Sequence, residues 1–189
     1  PFVAELIQVV PDEIRWTGPI ERLLRPFSLT IVLPPKLSEQ AEEYLEENNL
    51  GERMAILCPH SQAKEPKLHV DSVVAKLTVR PELEAGRQKW LRTTLAEHFP
   101  HLCREKRDKK FEKNPDGLTL EGLVKTNGEL REKDDTFFLE DAGNWVMGWD
   151  VSPKQKTLDD SLGKWREEVD RAGRAIREAE TERQSIRIR

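Results

Sequence analysis

Cys58-x-His60 and His98-x-x-His101-x-Cys103 bring together both cysteines of the chain and three of its four histidines, the residue types that bind zinc. Structural zinc ligands come in C-x2-C or H-x3-5-H pairs, and neither spacing is present. Cys58 also ends an apolar run, where a free cysteine behaves as a small hydrophobe. No metal site is expected. Asp134-Asp135, next to Glu132 and Lys133, superficially matches the acids and lysine of a nuclease. Metal-dependent cleavage needs acids converging from separate strands, whereas neighbours on one strand point to opposite faces. A polar turn or interface is the expected role. Gly-rich phosphate loops and a G-x-S-x-G elbow are both missing. The expected catalytic set is therefore empty, and no cofactor is expected in this chain.

One charged stretch offers binding chemistry instead. Arg104, Lys106, Arg107, Lys109, Lys110 and Lys113 outnumber Glu105, Asp108 and Glu112 by three in a chain whose net charge is -4. Such a run is either a solvated face or an electrostatic contact for a phosphate backbone, blind to base sequence. Lys125, Arg131 and Lys133 could extend the second.

The elements that position these residues follow from pattern. FVAELI suits a strand or a helical turn. Thr17-Gly18-Pro19 starts a short helix with Ile20, Leu23 and Leu24 on one face. LTIVL (Leu29 to Leu33) and RMAILC (Arg53 to Cys58) are expected as buried strands flanking a helix capped by Ser38 and stopped at Gly51, a parallel βαβ crossover. HSQAKEPK is a loop, and VDSVVAKLTV passes from helix into strand. GRQKWLRTTLAEHF is an amphipathic helix through Trp90, Leu91, Leu95 and Phe99, and REKRDKKFEKN is a charged helix or loop. Asn127-Gly128 predicts a hairpin with a strand on either side.

The end of the chain is of another kind. Leu158, Leu162, Trp165, Val169, Ala172, Ile176 and Ala179 follow at steps of 4, 3, 4, 3, 4 and 3, an a/d coiled-coil seam. Ser152 is the expected N-cap and Pro153 the first helical residue. A seam needs a covering helix, and no matching heptad run exists among the 189 residues. Two parts are expected: an α/β body over 1–151 and a coiled-coil arm over 152–189. With two cysteines 45 positions apart, no signal peptide and no apolar run long enough to cross a bilayer, the chain is expected to be cytoplasmic. It opens on Pro1 rather than Met, as a piece of a longer protein would.

An α/β knob entered at its first residue and left on a heptad helix resembles the hinge of SMC-type ATPases. FVAELIQVV, PIERLLRPFSLTIVL and SEQAEEYLEENNLGERMAILCP match the hinge order of opening element, helix, strand, helix and strand. Within that group the chain is similar to the MukB-like SMC subunit of bacterial Wadjet anti-plasmid systems, the JetC family. The similarity is carried by Pro1 to Val9, Trp16 to Leu24, GLVKTNGELREKDD and NWVMGWD. The resemblance implies a compact mixed α/β hinge domain that homodimerises, with an antiparallel arm whose other strand lies upstream of Pro1. It implies ATP and Mg at distant heads, kleisin-like, winged-helix and nuclease subunits, DNA loop extrusion in plasmid defence, association with the nucleoid, and DNA contact at the hinge. The Gly-rich dimer-contact segment of ordinary hinges is absent, so its interface does not transfer. The expected dimer interface is instead the hairpin face of Leu118, Leu120, Leu123 and Val124, whose alternation with polar residues leaves one side to be covered. The rival readings are a metal-dependent nucleic-acid-processing enzyme and a free-standing coiled-coil adaptor.

Overall fold

The computed structural model of the chain describes residues 1–59, 64, 66–150 and 152–187. His60 and most of the HSQAKEPK stretch lie outside the described residues. The chain divides into two compact units, Pro1–Trp149 and Asp150–Arg189.

In the first unit the ambiguous opening resolves into a 3₁₀ turn, Val3–Leu6, followed by β1 (Ile7–Val9). Helix α1 (Thr17–Ser28) buries Ile20 and Leu24 and carries Pro26 inside its last turn, so it is longer than the short helix expected. It consumes the start of LTIVL: β2 is only Ile31–Val32, and Leu29 caps α1 and is exposed. Helix α2 (Ser38–Glu47) and β3 (Ile56–Leu57) complete a parallel β2–β3 pair with Ile31 opposite Ile56, as the crossover predicts, although β3 is half-buried rather than buried.

Ser38 does not cap α2. Its hydroxyl donates to the Pro35 carbonyl at 2.7 Å, because a preceding 3₁₀ turn already supplies the helix entry. The helix stops at Asn48, whose N–H bonds the Tyr44 carbonyl, three residues before Gly51.

VDSVVAKLTV behaves as expected: a 3₁₀ turn at Val74–Lys76 runs into β4 (Leu77–Val79), antiparallel to β1. Helix α3 (Ala85–His98) buries Trp90, Leu91 and Leu95. Beyond it lies one four-stranded sheet in the order β5 (Leu102–Arg104), β6 (Gly117–Thr119), β7 (Val124–Thr126), β8 (Leu130–Glu132). β5 runs parallel to β6, and the other two pairs are antiparallel. The β7–β8 turn has φ of 52° at Asn127 and 78° at Gly128, the paired left-handed geometry that selects Asn-Gly. Between β5 and β6 sits α4 (Lys109–Lys113), its N-terminus capped by the Asp108 carboxylate, which accepts from the Phe111 N–H at 2.7 Å. Val3, Ile7, Trp16, Ile20, Leu91 and Leu118 share one hydrophobic core.

The second unit is α5 (Ser152–Arg187). Ser152 lies inside this helix rather than at its cap, and its N–H donates to the Asp150 carboxylate at 3.0 Å. That bond holds the Asp150 carboxyl below its ordinary pKa. Among the described residues no helix is long and apolar enough to cross a membrane.

Candidate interaction surfaces

The fold sorts the basic residues into two sets. Lys125 leaves the phosphate-binding set. It is only 3% exposed, and its ammonium donates to the carbonyls of Glu112 and Asn114 at 2.8 Å and of Phe111 at 3.4 Å. These carbonyls close the C-terminal end of α4, where a cation is favoured and the last acceptors need donors. Arg104 is paired with Asp71 at 2.7 Å and largely covered. Arg107 and Arg131 both clasp Glu112, which holds that carboxyl below its usual range, Arg107 contributing most. Lys133 pairs with Asp135 at 3.0 Å. Lys106, Lys109, Lys110 and Lys113 are exposed and have no ion pair among the described residues. These four make the accessible basic patch.

The sulfur and imidazole groups are engaged singly. Burial pushes the Cys103 thiol up to about 12, so it keeps its proton where zinc binds thiolate. His101 Nε2 lies 3.3 Å from the Thr126 hydroxyl, and burial lowers its pKa against the opposing pull of Asp116. His98 Nδ1 is 2.9 Å from the Thr94 carbonyl oxygen, and its ring packs 5.7 Å from that of Phe27. Among the described residues no group of three His, Cys, Asp or Glu could hold a metal ion. Asp134 accepts from the N–H and hydroxyl of Thr136, and Asp135 pairs with Arg22 and Lys133. Local bonds and ion pairs engage both acids.

The expected dimer face needs correction. Leu118 is 0% exposed, because β6 is flanked by β5 and β7 and faces the core of its own chain. Leu120 and Val124 pack against the same core, half-buried, and Leu123 is half-buried as well. Leu118 is therefore unavailable to a partner, while Leu120, Leu123 and Val124 each keep part of their surface open.

An apolar surface lies elsewhere. Helix α2 has no buried residue, and between it and the β2–β3 pair runs a groove of about 320 Å³. Ile31, Leu33, Leu37, Tyr44, Met54 and Ile56 line it, with Met54 50% and Tyr44 56% exposed. Contiguous exposed apolar surface of this kind marks an interaction site. Its signal was present in the sequence as the stripe Leu37, Ala41, Tyr44 and Leu45, but such a stripe reads equally as core. On α5, Leu158, Leu162, Trp165, Val169, Ala172, Ile176 and Ala179 are all exposed, Trp165 by 66%.

No protein-family model matches the chain, and no curated protein matches it in sequence. Among solved structures it is similar to the Pyrococcus furiosus Smc hinge domain with an extended coiled coil. The TM-score is 0.51 at 15% identity, over 89% of this chain and 57% of that one. The body has an SMC hinge fold. An asymmetric dimer of the Geobacillus stearothermophilus SMC hinge domain aligns at a TM-score of 0.48 and 19% identity, over 91% of this chain and 70% of that one. This chain thus spans little more than half the length of the Pyrococcus hinge chain. The mixed α/β body with a C-terminal helix matches this fold.

Proposed function

We propose that this chain is the hinge module of an SMC-like ATPase: a non-catalytic body that self-associates and joins the two strands of an antiparallel arm. The observation that carries the reading is the coexistence of an SMC hinge fold with a helix whose heptad seam is exposed along its length. An apolar stripe stabilises a helix only when something packs on it. In this reading the stripe is covered by a helix upstream of Pro1, whose covalent attachment makes the pairing effectively intramolecular. The groove between α2 and the β2–β3 pair receives a second copy of the body, closed two-fold pairing being the common arrangement for such modules.

The finer reading rests on PFVAELIQV, GLVKTNGELREKDD and NWVMGWD, which resemble the SMC-like subunit of Wadjet systems. It gives the parent protein ATP- and Mg-dependent heads, loop extrusion, kleisin-like, winged-helix and nuclease partners, and a role in plasmid defence at the nucleoid.

Self-association is checked by light scattering across concentration on the chain carrying Leu162→Asp and Val169→Asp, which silences the seam. A particle of two chains at micromolar concentration is expected; a monomer at high micromolar concentration would remove the dimeric hinge.

DNA contact belongs to the same proposal and rests on the accessible patch of Lys106, Lys109, Lys110 and Lys113. Binding to duplex should be weak, indifferent to sequence and steeply salt-dependent. Each lost phosphate contact should lower the log–log salt slope by roughly 0.9. Lys109→Glu with Lys110→Glu is expected to abolish most of the binding, and unchanged affinity would make the run a solvated face.

A further inference from the structure

One helical stripe of α1, Gly18, Glu21, Arg22 and Arg25, faces residues 134–147 rather than the core. These residues have no strand pairing with the body. Their shape is fixed by bonds of their own: the Trp145 indole N–H donates to the Leu139 carbonyl at 3.0 Å. The Asp141 carboxylate accepts from Gly143 N–H and the Asn144 amide, and further backbone bonds close Phe138 to Trp145. Latched to α1, they form a compact strap.

The strap is tied to α1 by polar groups, and its last residue, Met147, also packs against the hydrophobic core. The Glu21 carboxylate, 4% exposed, accepts the N–H groups of Val146 at 2.9 Å and Met147 at 2.7 Å. Arg22 donates to the Phe137 carbonyl at 2.7 Å, and Arg25 donates to the Asn144 carbonyl. Gly18 is the seat: a Cβ there would lie 2.2 Å from the Leu139 carbonyl oxygen, so only glycine lets the two backbones meet. A gap of about 200 Å³ remains between strap and helix, and Phe138 on its rim is 85% exposed. At its far end the strap stops at Gly148, whose N–H bonds the Ala4 carbonyl at 2.9 Å and so belongs to the body.

We propose that residues 134–147 are a latched strap that unfolds as one unit, its internal turns lost together with its bonds to α1, with Glu21 as its latch and Gly18 as its seat, while the core stays folded. Segments held by few apolar contacts and by hydrogen bonds at one face are those that open sub-globally. This inference does not depend on the hinge reading.

The test is native-state hydrogen exchange on the full chain at low denaturant concentrations. The amides of Asp141, Asn144, Trp145, Val146 and Met147 should exchange through one shared opening, easier than global unfolding. Gly148 and the amides of α3 and β7 should exchange with the core. Glu21→Ala should speed the whole set at least tenfold together. Gly18→Ala should hold the strap open, with the same amides unprotected, Trp145 emission red-shifted and the α3 amides unchanged. Strap amides that exchange only with the core in the wild-type chain would overturn the proposal. So would a Glu21→Ala effect confined to Val146 and Met147, or a Gly18→Ala chain whose strap keeps its protection.

Discussion

In the chain whose seam is silenced by Leu162→Asp and Val169→Asp, Tyr44→Asp combined with Met54→Asp is expected to convert the proposed dimer into a monomer without unfolding it. Both side chains stand at the open groove, and about half of each is exposed, so the fold of one chain loses little when they change. Surface substitutions of this kind usually stay within about 0.5 kcal/mol of neutral. An interface buried on the groove would lose far more. Central aromatic and apolar anchors each contribute on the order of 2 kcal/mol, and an unpaired carboxylate in a dry contact costs further desolvation. At about 1.4 kcal/mol per decade, the dissociation constant should rise roughly 100-fold or more. Sedimentation velocity measures this directly, with circular dichroism as the check on folding. Variants that remain folded and dimerise with unchanged affinity would move the interface off this groove.

Lys125→Met is expected to destabilise the body while leaving any DNA binding intact, the reverse of what a phosphate-contacting lysine would do. The substitution keeps much of the apolar stem and removes a donor shared by three carbonyls at the end of α4. Hydrogen bonds to a charged donor contribute roughly 1.5–3 kcal/mol each, part of which is offset because burying the ammonium is itself costly. A net loss of about 2–3 kcal/mol follows, which for a body of this size lowers the melting temperature by roughly 5–10 °C. Thermal unfolding of Lys125→Met beside the Lys109→Glu, Lys110→Glu double variant separates the roles. The first should melt lower and bind unchanged, and the second should melt as wild type and bind poorly. Unaltered melting of Lys125→Met would return this lysine to the surface.

How far the sequence could be read depended on whether a signal was local. The Asn127-Gly128 hairpin, the turn into β4 and helix α3 all rest on contiguous residues, and each forms where the pattern puts it. β2 and β3 shrink to two residues each because α1 and the adjoining turns claim the flanking backbone, a tertiary outcome that an apolar run does not encode. Leu118 shows the harder problem. Alternation along β6 says that one face must be covered, but a neighbouring element and a second copy leave the same pattern. Lys125 reads as solvated in a charge-rich hairpin because its partners are backbone carbonyls, which have no sequence signature. The α5 helix was legible from its heptad spacing, but spacing does not say what covers the stripe, and each of its residues is exposed. The α2 groove was legible as a stripe but not as an exposed one.

That this body sits where an arm turns back on itself is tested most directly by extending the chain about forty residues upstream of Pro1 in the parent protein. Amide exchange along α5 is then compared with that of the 189-residue chain. The hinge account predicts stronger protection from Leu158 to Ala179 and higher helicity in the extended chain, both undone by Leu162→Asp or Val169→Asp. Equal protection in the two chains would contradict it, and the exposed seam would then belong to another protein or to a parallel pairing of two copies.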